Sequence, residues 1–298
     1  MEVHYSWTVE MPLDTQSFGF KRDWLATALQ RLPIDSDIFS KAQLSEARKA
    51  FLAGSNQLSA IKNWLINAGI IEIGRGLCRL TELGEIMAAK DERAEDAWTW
   101  WLLHLHLCAN SDSGPYSSFF TTYDPGGTAW MPVKDVQERL GSRMAEDGNA
   151  VAPKTVETYF AGVQQAFRVG WPLHDLRLME HREIVGEQGG WRIRRCITKP
   201  HDVVVAYTTL LFRESFYPNK STIEARVLLE RGVAKALGIR DASYRDALSR
   251  IHQDSKLSGF LEYRRAVNLD SVQFPKMGSS AVRQLRAYVY GLREVQWP

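Results

Sequence analysis

The stretch LAGSNQLSAIKNWLINAGIIEIGRGLCRLTELG, residues 52 to 84, constrains the fold more than any other part of the chain. Ser40 opens a helix over 40–53, Gly54 breaks it, and Ser55 or Asn56 stands where the next helix needs a cap. In that next helix Leu58, Ile61, Leu65 and Ile66 share a face, while Gln57, Ser59, Lys62 and Asn63 point elsewhere. Gly69 ends it. Ile70, Ile71 and Ile73 then make a short strand, Gly74-Arg75-Gly76 a turn, and Leu77, Arg79 and Thr81 an alternating return strand. A helix over 22–31 precedes this run, and LTELG closes the hairpin and starts a packing helix. Helix, turn, helix and small hairpin spell a winged helix.

The same order is read twice more. Pro132 is predicted to open a helix ending near Leu140, residues 142–153 to form a polar loop, and KTVETYFAGVQQAFRVG to form a helix with Val156, Phe160, Val163 and Phe167 on one stripe. LRLMEHREIV and WRIRRCIT then pair across the glycine turn of GEQGG. Further on, 222–237 is read as helical, a helix follows from Ser243, and GFLEYRRAV and SVQF supply strands. Residues 96–108, DAWTWWLLHLHLC, form a helix apolar nearly all round, which implies burial between domains. The expected fold class is mainly α with small β-hairpins (α+β), built as tandem winged helix-turn-helix units. Its parts are an N-terminal winged-helix domain at 1–92, a connecting Trp-rich helix and loop at 93–130, a second winged-helix-like unit at 131–200, and a C-terminal helical unit with a third wing at 201–298.

No run of 18 apolar residues occurs, the first twenty residues lack the basic start and apolar block of a signal peptide, and Cys78, Cys108 and Cys196 follow no metal or redox spacing. These features point to the cytoplasm, away from membranes. Net charge is only +2, but residues 91–150 carry 4 Lys and Arg against 10 Asp and Glu, whereas 151–298 carry 23 against 15. A basic C-terminal half is a modest footprint for phosphate.

In a winged helix the second helix of the turn enters the major groove by its N-terminal residues. Ser55, Asn56, Gln57 and Ser59 offer hydrogen-bonding side chains there, with Lys62, Arg75 and Arg79 as flanking phosphate contacts. The alternative is that Ser55 and Asn56 only cap the helix and the unit docks a partner. The second unit offers Lys154, Thr155, Thr158 and Arg168 on its long helix and Arg182, Arg192, Arg194 and Arg195 on its hairpin. Strand alternation sets Arg192 and Arg194 on one face and Arg195 on the other; the competing reading is a charged edge strand.

Catalytic signals are sparse. His104 and His106 lie about 200° apart on a helix, so they cannot share a metal and read as core histidines. No phosphate-binding loop, dinucleotide-binding glycines, nucleophile elbow or zinc signature is present. Asp91, Glu92, Glu95 and Asp96 have a spacing that can hold Mg²⁺ or Mn²⁺ near a phosphate, or simply form an acidic helix start.

Several ordered blocks carry a resemblance: FGFKRDWLATAL, GSNQLSAIKNWLINAGIIE, LTELG, DAWTWWLLHLHL followed by PYSSFF, MPVKDVQERL, KTVETYFAGVQQAF and PLHDLRLM. Together, from about residue 17 to 180, they resemble the prokaryotic family called domain of unknown function 4007. That family includes the B component of the Ssp-type DNA phosphorothioation system, in which sulfur replaces a non-bridging phosphate oxygen, and that component resembles a DNA nickase. The resemblance implies a bacterial role in sulfur modification and phage defence on double-stranded DNA. It implies metal-dependent nicking of one strand, with a cysteine desulfurase and an ATP-dependent sulfur transferase as partners. A homodimer and a non-enzymatic winged-helix regulator or assembly adaptor stay open as alternatives. Where many members carry a Gly-rich, Lys-containing stretch this chain reads LAGSNQLS, and Lys62 is the nearest lysine to replace it. No catalytic residue carries over.

Overall fold

Burying the apolar stripe of the 55–67 segment requires partners on both sides of it in the chain, and the computed structural model supplies them. It describes residues 14–74, 76–127, 129–146, 148, 150–185, 190–266 and 269–275, together with 282, 284–286 and 290. Helices α1 (Arg22–Arg31), α2 (Leu44–Phe51) and α3 (Ser55–Asn67) precede the antiparallel hairpin β1 (Ile71–Gly74) and β2 (Leu77–Leu80). Leu58, Ile61, Trp64 and Leu65 of α3 are buried. Helix α4 (Glu82–Asp91) returns across this unit. The LTELG phrase has a double physical reason. Thr81 caps α4 by accepting from Gly84 N–H at 3.3 Å while donating to the Gly69 carbonyl at 2.6 Å, and a Cβ at Gly84 would collide with the Ile70 carbonyl oxygen.

The Trp-rich segment is α5 (Ala97–Ala109), buried from Trp98 to Ala109 as its all-round apolarity predicts, and it leads through a 3₁₀ turn (Ser111–Ser113) to α6 (Pro115–Thr122). Among the described residues no helix is long and apolar enough to cross a membrane. His104 and His106 are satisfied core side chains. His104 Nε2 donates to the Ala236 carbonyl at 2.8 Å and Nδ1 accepts from the Tyr116 hydroxyl at 2.7 Å; His106 Nε2 lies 2.7 Å from the Tyr207 hydroxyl. Burial holds His104 down at about 3, against an ordinary value of 6.5. A histidine depressed in the folded state stabilises it fully above pH 6.5, and this contribution is lost as pH falls from there towards 3. The stability of His104→Phe, followed by urea unfolding between pH 6 and 4, is therefore expected to fall less steeply than that of the wild type by about 1.4 kcal/mol per pH unit. Parallel curves would mean that His104 is protonated in the folded protein.

The second run of elements is β3 (Met131–Pro132), α7 (Val133–Glu146), α8 (Pro153–Ala166), α9 (Pro172–Asp175), β4 (Met179–Ile184) and β5 (Gly190–Arg195). Two boundaries differ from the sequence reading. Pro132 ends a short strand rather than opening the helix, and α7 continues through 142–146 because Met144 extends the buried stripe of Val133, Val136 and Leu140. The third run is α10 (Asp202–Phe216), β6 (Thr222–Glu224), α11 (Ala225–Glu230), α12 (Val233–Ala236), α13 (Asp241–Gln253), β7 (Glu262–Ala266) and β8 (Leu269–Gln273). The single helix expected over 222–237 is thus a strand and two short helices. Gly232 divides them, with φ +85° and no room for a side chain against Thr121. In both three-stranded sheets the first strand pairs with the third and the third with the second: β3-β5-β4 and β6-β8-β7.

The first two runs are welded by residues 15–19. Gly19 lies against the backbone of Ala166 in α8, and Gly162 of α8 against Thr15. Gln165 Oε1 accepts from Gly19 N–H at 2.6 Å, and Thr15 donates to the Tyr159 carbonyl at 3.1 Å. The same segment is also held by Trp64 Nε1, which donates to the Phe18 carbonyl at 2.9 Å, and the residue just before it by Asn63 Nδ2, which donates to the Asp14 carbonyl at 3.1 Å. One short strap therefore joins α3 to α8.

Candidate nucleic-acid interface

Helix α3 buries one side and presents the other. Ser55, Asn56 and Ser59 are exposed and Lys62 is half-buried, a stripe one to two turns long beside the buried Leu58, Ile61 and Trp64. The cap differs from the sequence reading. Leu52, in the left-handed region at φ +46°, ends α2, and Gly54 takes the N-cap position with φ −73° and ψ 170°. Because glycine brings no side chain, Gln57 turns back and its Oε1 accepts from Gly54 N–H at 2.8 Å. Gln57 is thus a capping residue, whereas Ser55 and Asn56 are released from that duty. With no side-chain cap on its first turn, α3 also points backbone N–H groups outward, the arrangement that favours an anion.

Next to this helix start is a depression of about 390 Å³ lined by Ser45, Arg48, Lys49, Leu52, Ala53 and Gly54. Lys49 is paired with Glu46 at 2.9 Å, leaving Arg48 as a cation that the sequence reading passed over. Its signal was available: Arg48 lies in the last turn of α2, just before the break. Arg79 is exposed on β2 but faces Glu72 across the hairpin register, and Arg75 lies outside the described residues.

The second unit distributes its candidates unevenly. Lys154 is paired with Glu157 at 2.9 Å, the Thr158 hydroxyl donates back to the Lys154 carbonyl at 2.9 Å, and Thr155 is half-buried; the adjacent face of α8 is covered by the 15–19 strap. On the hairpin, the register sets Glu180 opposite Arg194, Arg182 opposite Arg192, and Met179 opposite Arg195. Arg192 and Arg194 therefore share a face and Arg195 takes the other, as alternation requires. Arg194 is neutralised by Glu180 at 2.7 Å. Trp130, absent from the sequence reading, has its ring centre 4.2 Å from the Arg182 guanidinium carbon and 4.7 Å from that of Arg194.

Arg195 is only 2% exposed. Its guanidinium donates to the carbonyls of Leu178, Phe119, Phe120, Tyr123 and Lys235, at 2.6 to 3.3 Å, and burial lowers its pKa to about 10. It is a structural staple between β5, α6 and α12.

The acidic cluster serves the backbone. Asp91 Oδ1 accepts from Glu95 N–H, and its Oδ2 accepts from Asp96 N–H and from the Thr99 hydroxyl, at 2.7 to 3.0 Å. Asp96 Oδ1 caps α5 by accepting from Trp98 N–H at 2.9 Å, while Glu92 and Glu95 are exposed. Among the described residues no group of three or more His, Cys, Asp or Glu is placed to hold a metal, and Asp91, Glu92, Glu95 and Asp96 are not gathered into one.

No curated protein matches the chain significantly. Two solved structures share its fold: a crystal structure of magnesium-bound SspB, with TM-score 0.75 and 17% identity, and a crystal structure of SspB, with TM-score 0.74 and 16% identity. In each case the match covers 96% of this chain and 89% of the other. Residues 14–289, nearly the whole described chain, match the family described as Protein of unknown function (DUF4007), and the protein belongs to that family.

Proposed function

We propose that this protein is the DNA-binding component of a bacterial DNA phosphorothioation system, with α3 of the first unit reading the major groove of double-stranded DNA. The observation that carries the reading is the start of α3. There Ser55 and Asn56 are exposed and free of capping, Ser59 continues their stripe, Lys62 lies one turn on, and first-turn N–H groups face outward. The winged-helix reading draws support from the element order and from Cys78 N–H, which donates to the Ser36 carbonyl at 2.8 Å and so ties the α1–α2 connection to the hairpin edge. In the other two units the helices lie between the first and second strands and the strand order is first-third-second, which supports it as well. Family membership and the SspB-like fold support the link to sulfur modification in the cytoplasm, alongside a cysteine desulfurase and an ATP-dependent sulfur transferase.

Lys62→Ala with Arg79→Ala is expected to weaken binding to duplex DNA and to flatten the dependence of log affinity on log salt by about one to two units. The upper figure applies if Lys62 and Arg79 each hold a phosphate. An unchanged slope in the folded double variant would move the DNA surface off this unit. Strand nicking belongs to the same proposal through the resemblance to a nickase. Open-circle product from supercoiled plasmid in the presence of Mg²⁺ or Mn²⁺ supports it, and binding without conversion leaves the non-enzymatic adaptor. What favours the adaptor is the engagement of Asp91 and Asp96 with backbone donors.

A further inference from the structure

On the outer face of the β3-β5-β4 sheet, Arg182 and Arg192 stand directly opposite each other on paired antiparallel strands. Opposed residues of such a pair project on the same face with their side chains close, and like charges there destabilise the pairing. Two residues along, the same geometry is neutralised, because Arg194 meets Glu180 at 2.7 Å. Among the described residues no acid is joined to Arg182 or Arg192. A repulsive pair at an accessible sheet face becomes an attractive one when an anion sits between its members.

Trp130 supplies the second observation. It is half-buried immediately before β3, and Arg182 lies over its ring at 4.2 Å. A guanidinium laid on an indole keeps its edge N–H donors free and has already lost much of the rotamer freedom that binding would otherwise remove. Arg194, held by Glu180, lies 4.7 Å from the same ring and fixes the tryptophan in turn.

We propose that Arg182 and Arg192 form a two-armed clamp for one backbone phosphate of nucleic acid, with Trp130 as the positioning residue that presents Arg182. The proposal rests on the DNA-binding reading, and it replaces the Arg192 and Arg194 pair expected from sequence with the pair that the register leaves unneutralised. A phosphate contact carries no base information, so the clamp holds the duplex while α3 reads it. The open sheet face gives a free phosphate little else to touch. A polymer also held at α3 arrives with a high local concentration of phosphates.

The test is fluorescence anisotropy of a labelled DNA duplex titrated with full-length protein at several salt concentrations. Arg182→Ala with Arg192→Ala is expected to weaken binding equally for unrelated sequences and to flatten the salt slope by about one unit, since the clamp neutralises one phosphate. Trp130→Leu is expected to weaken binding about 3- to 10-fold while Trp130→Phe, which keeps a ring under Arg182, stays near wild type. Leucine and phenylalanine variants that weaken binding equally would overturn the stacking role. A wild-type salt slope in the double arginine variant would overturn the clamp while leaving DNA binding intact; a wild type that binds no duplex at low salt would instead remove the reading on which it rests. Polyglutamate captured more tightly than duplex, with the same variants affected, would assign the face to an acidic protein and overturn it too.

Discussion

Arg195→Ala is expected to destabilise the protein by about 3–5 kcal/mol, measured by urea or thermal unfolding. The side chain is buried with its charge, and it donates to five carbonyls contributed by β4's approach, α6 and α12. Several of those oxygens have a second donor. Leu178 also accepts from Cys196 N–H, and Phe119 from Tyr123 N–H, so the loss is smaller than five times the cost of an orphaned carbonyl. Against that, the truncation leaves a void beside Phe119 and Phe120, over whose rings the guanidinium lies at 5.5 and 4.6 Å. Arg195→Met separates the two contributions by filling volume without donating, and it is expected to fall between alanine and wild type. A change below about 1 kcal/mol in the alanine variant would show that the carbonyls are satisfied without the guanidinium.

Gly19→Ala and Gly162→Ala are expected to destabilise by about 1–3 kcal/mol each, and to release residues 14–20 as a site of rapid proteolysis. For Gly162, in the interior of α8, two effects oppose each other. Alanine gains about 1 kcal/mol of helix propensity, but its Cβ would overlap Thr15 Oγ1 and Cβ and come within 2.9 Å of the Phe18 carbonyl oxygen. The overlap wins because Thr15 is pinned by its hydroxyl on the Tyr159 carbonyl, and the strap behind it is held by Trp64 and Asn63. Gly19 has no compensating gain, since its Cβ would meet the backbone of Gln165 and Ala166. Gly141→Ala in α7 is the control: the nearest atom, Val156 Cγ2, is 3.6 Å away, so the same substitution is expected to stabilise by up to about 1 kcal/mol. If Gly162→Ala also stabilised, the strap would not hold α3 and α8 together. Because the strap bonds both helices, its release is also expected to loosen the relative placement of the α3 stripe and the second hairpin.

The parts legible in the sequence are those that local periodicity governs. The apolar stripe of Leu58, Ile61 and Leu65 defines α3, the glycines on either side bound it, and the continuous apolarity of 97–109 announces a buried helix. Alternation along β5 is enough to put Arg192 and Arg194 on one face and Arg195 on the other, because side chains repeat every two residues whatever the strand packs against. Local grammar also misled where a residue had two uses. Asp91 and Asp96 have a spacing that suits a cation, but the same spacing lets their carboxylates turn onto nearby backbone N–H groups, and which occurs depends on how α4 meets α5. Ser55 was readable as a cap until the backbone at Gly54 made glycine the cap and Gln57 its substitute side chain.

What only the tertiary structure decided is which distant residues meet. Arg182 and Arg192 come opposite through a strand register, Glu180 removes Arg194 from the set of free cations by the same register, and Trp130 joins them from the far side of three helices. Arg195 is a staple rather than a surface charge because α6 and α12 close over one face of β5 and bring carbonyls to it. The physical reason is common to all of these. Secondary structure follows from interactions a few residues apart, so composition and spacing carry it, whereas burial and charge pairing are set by contacts tens to hundreds of residues apart that no local pattern encodes.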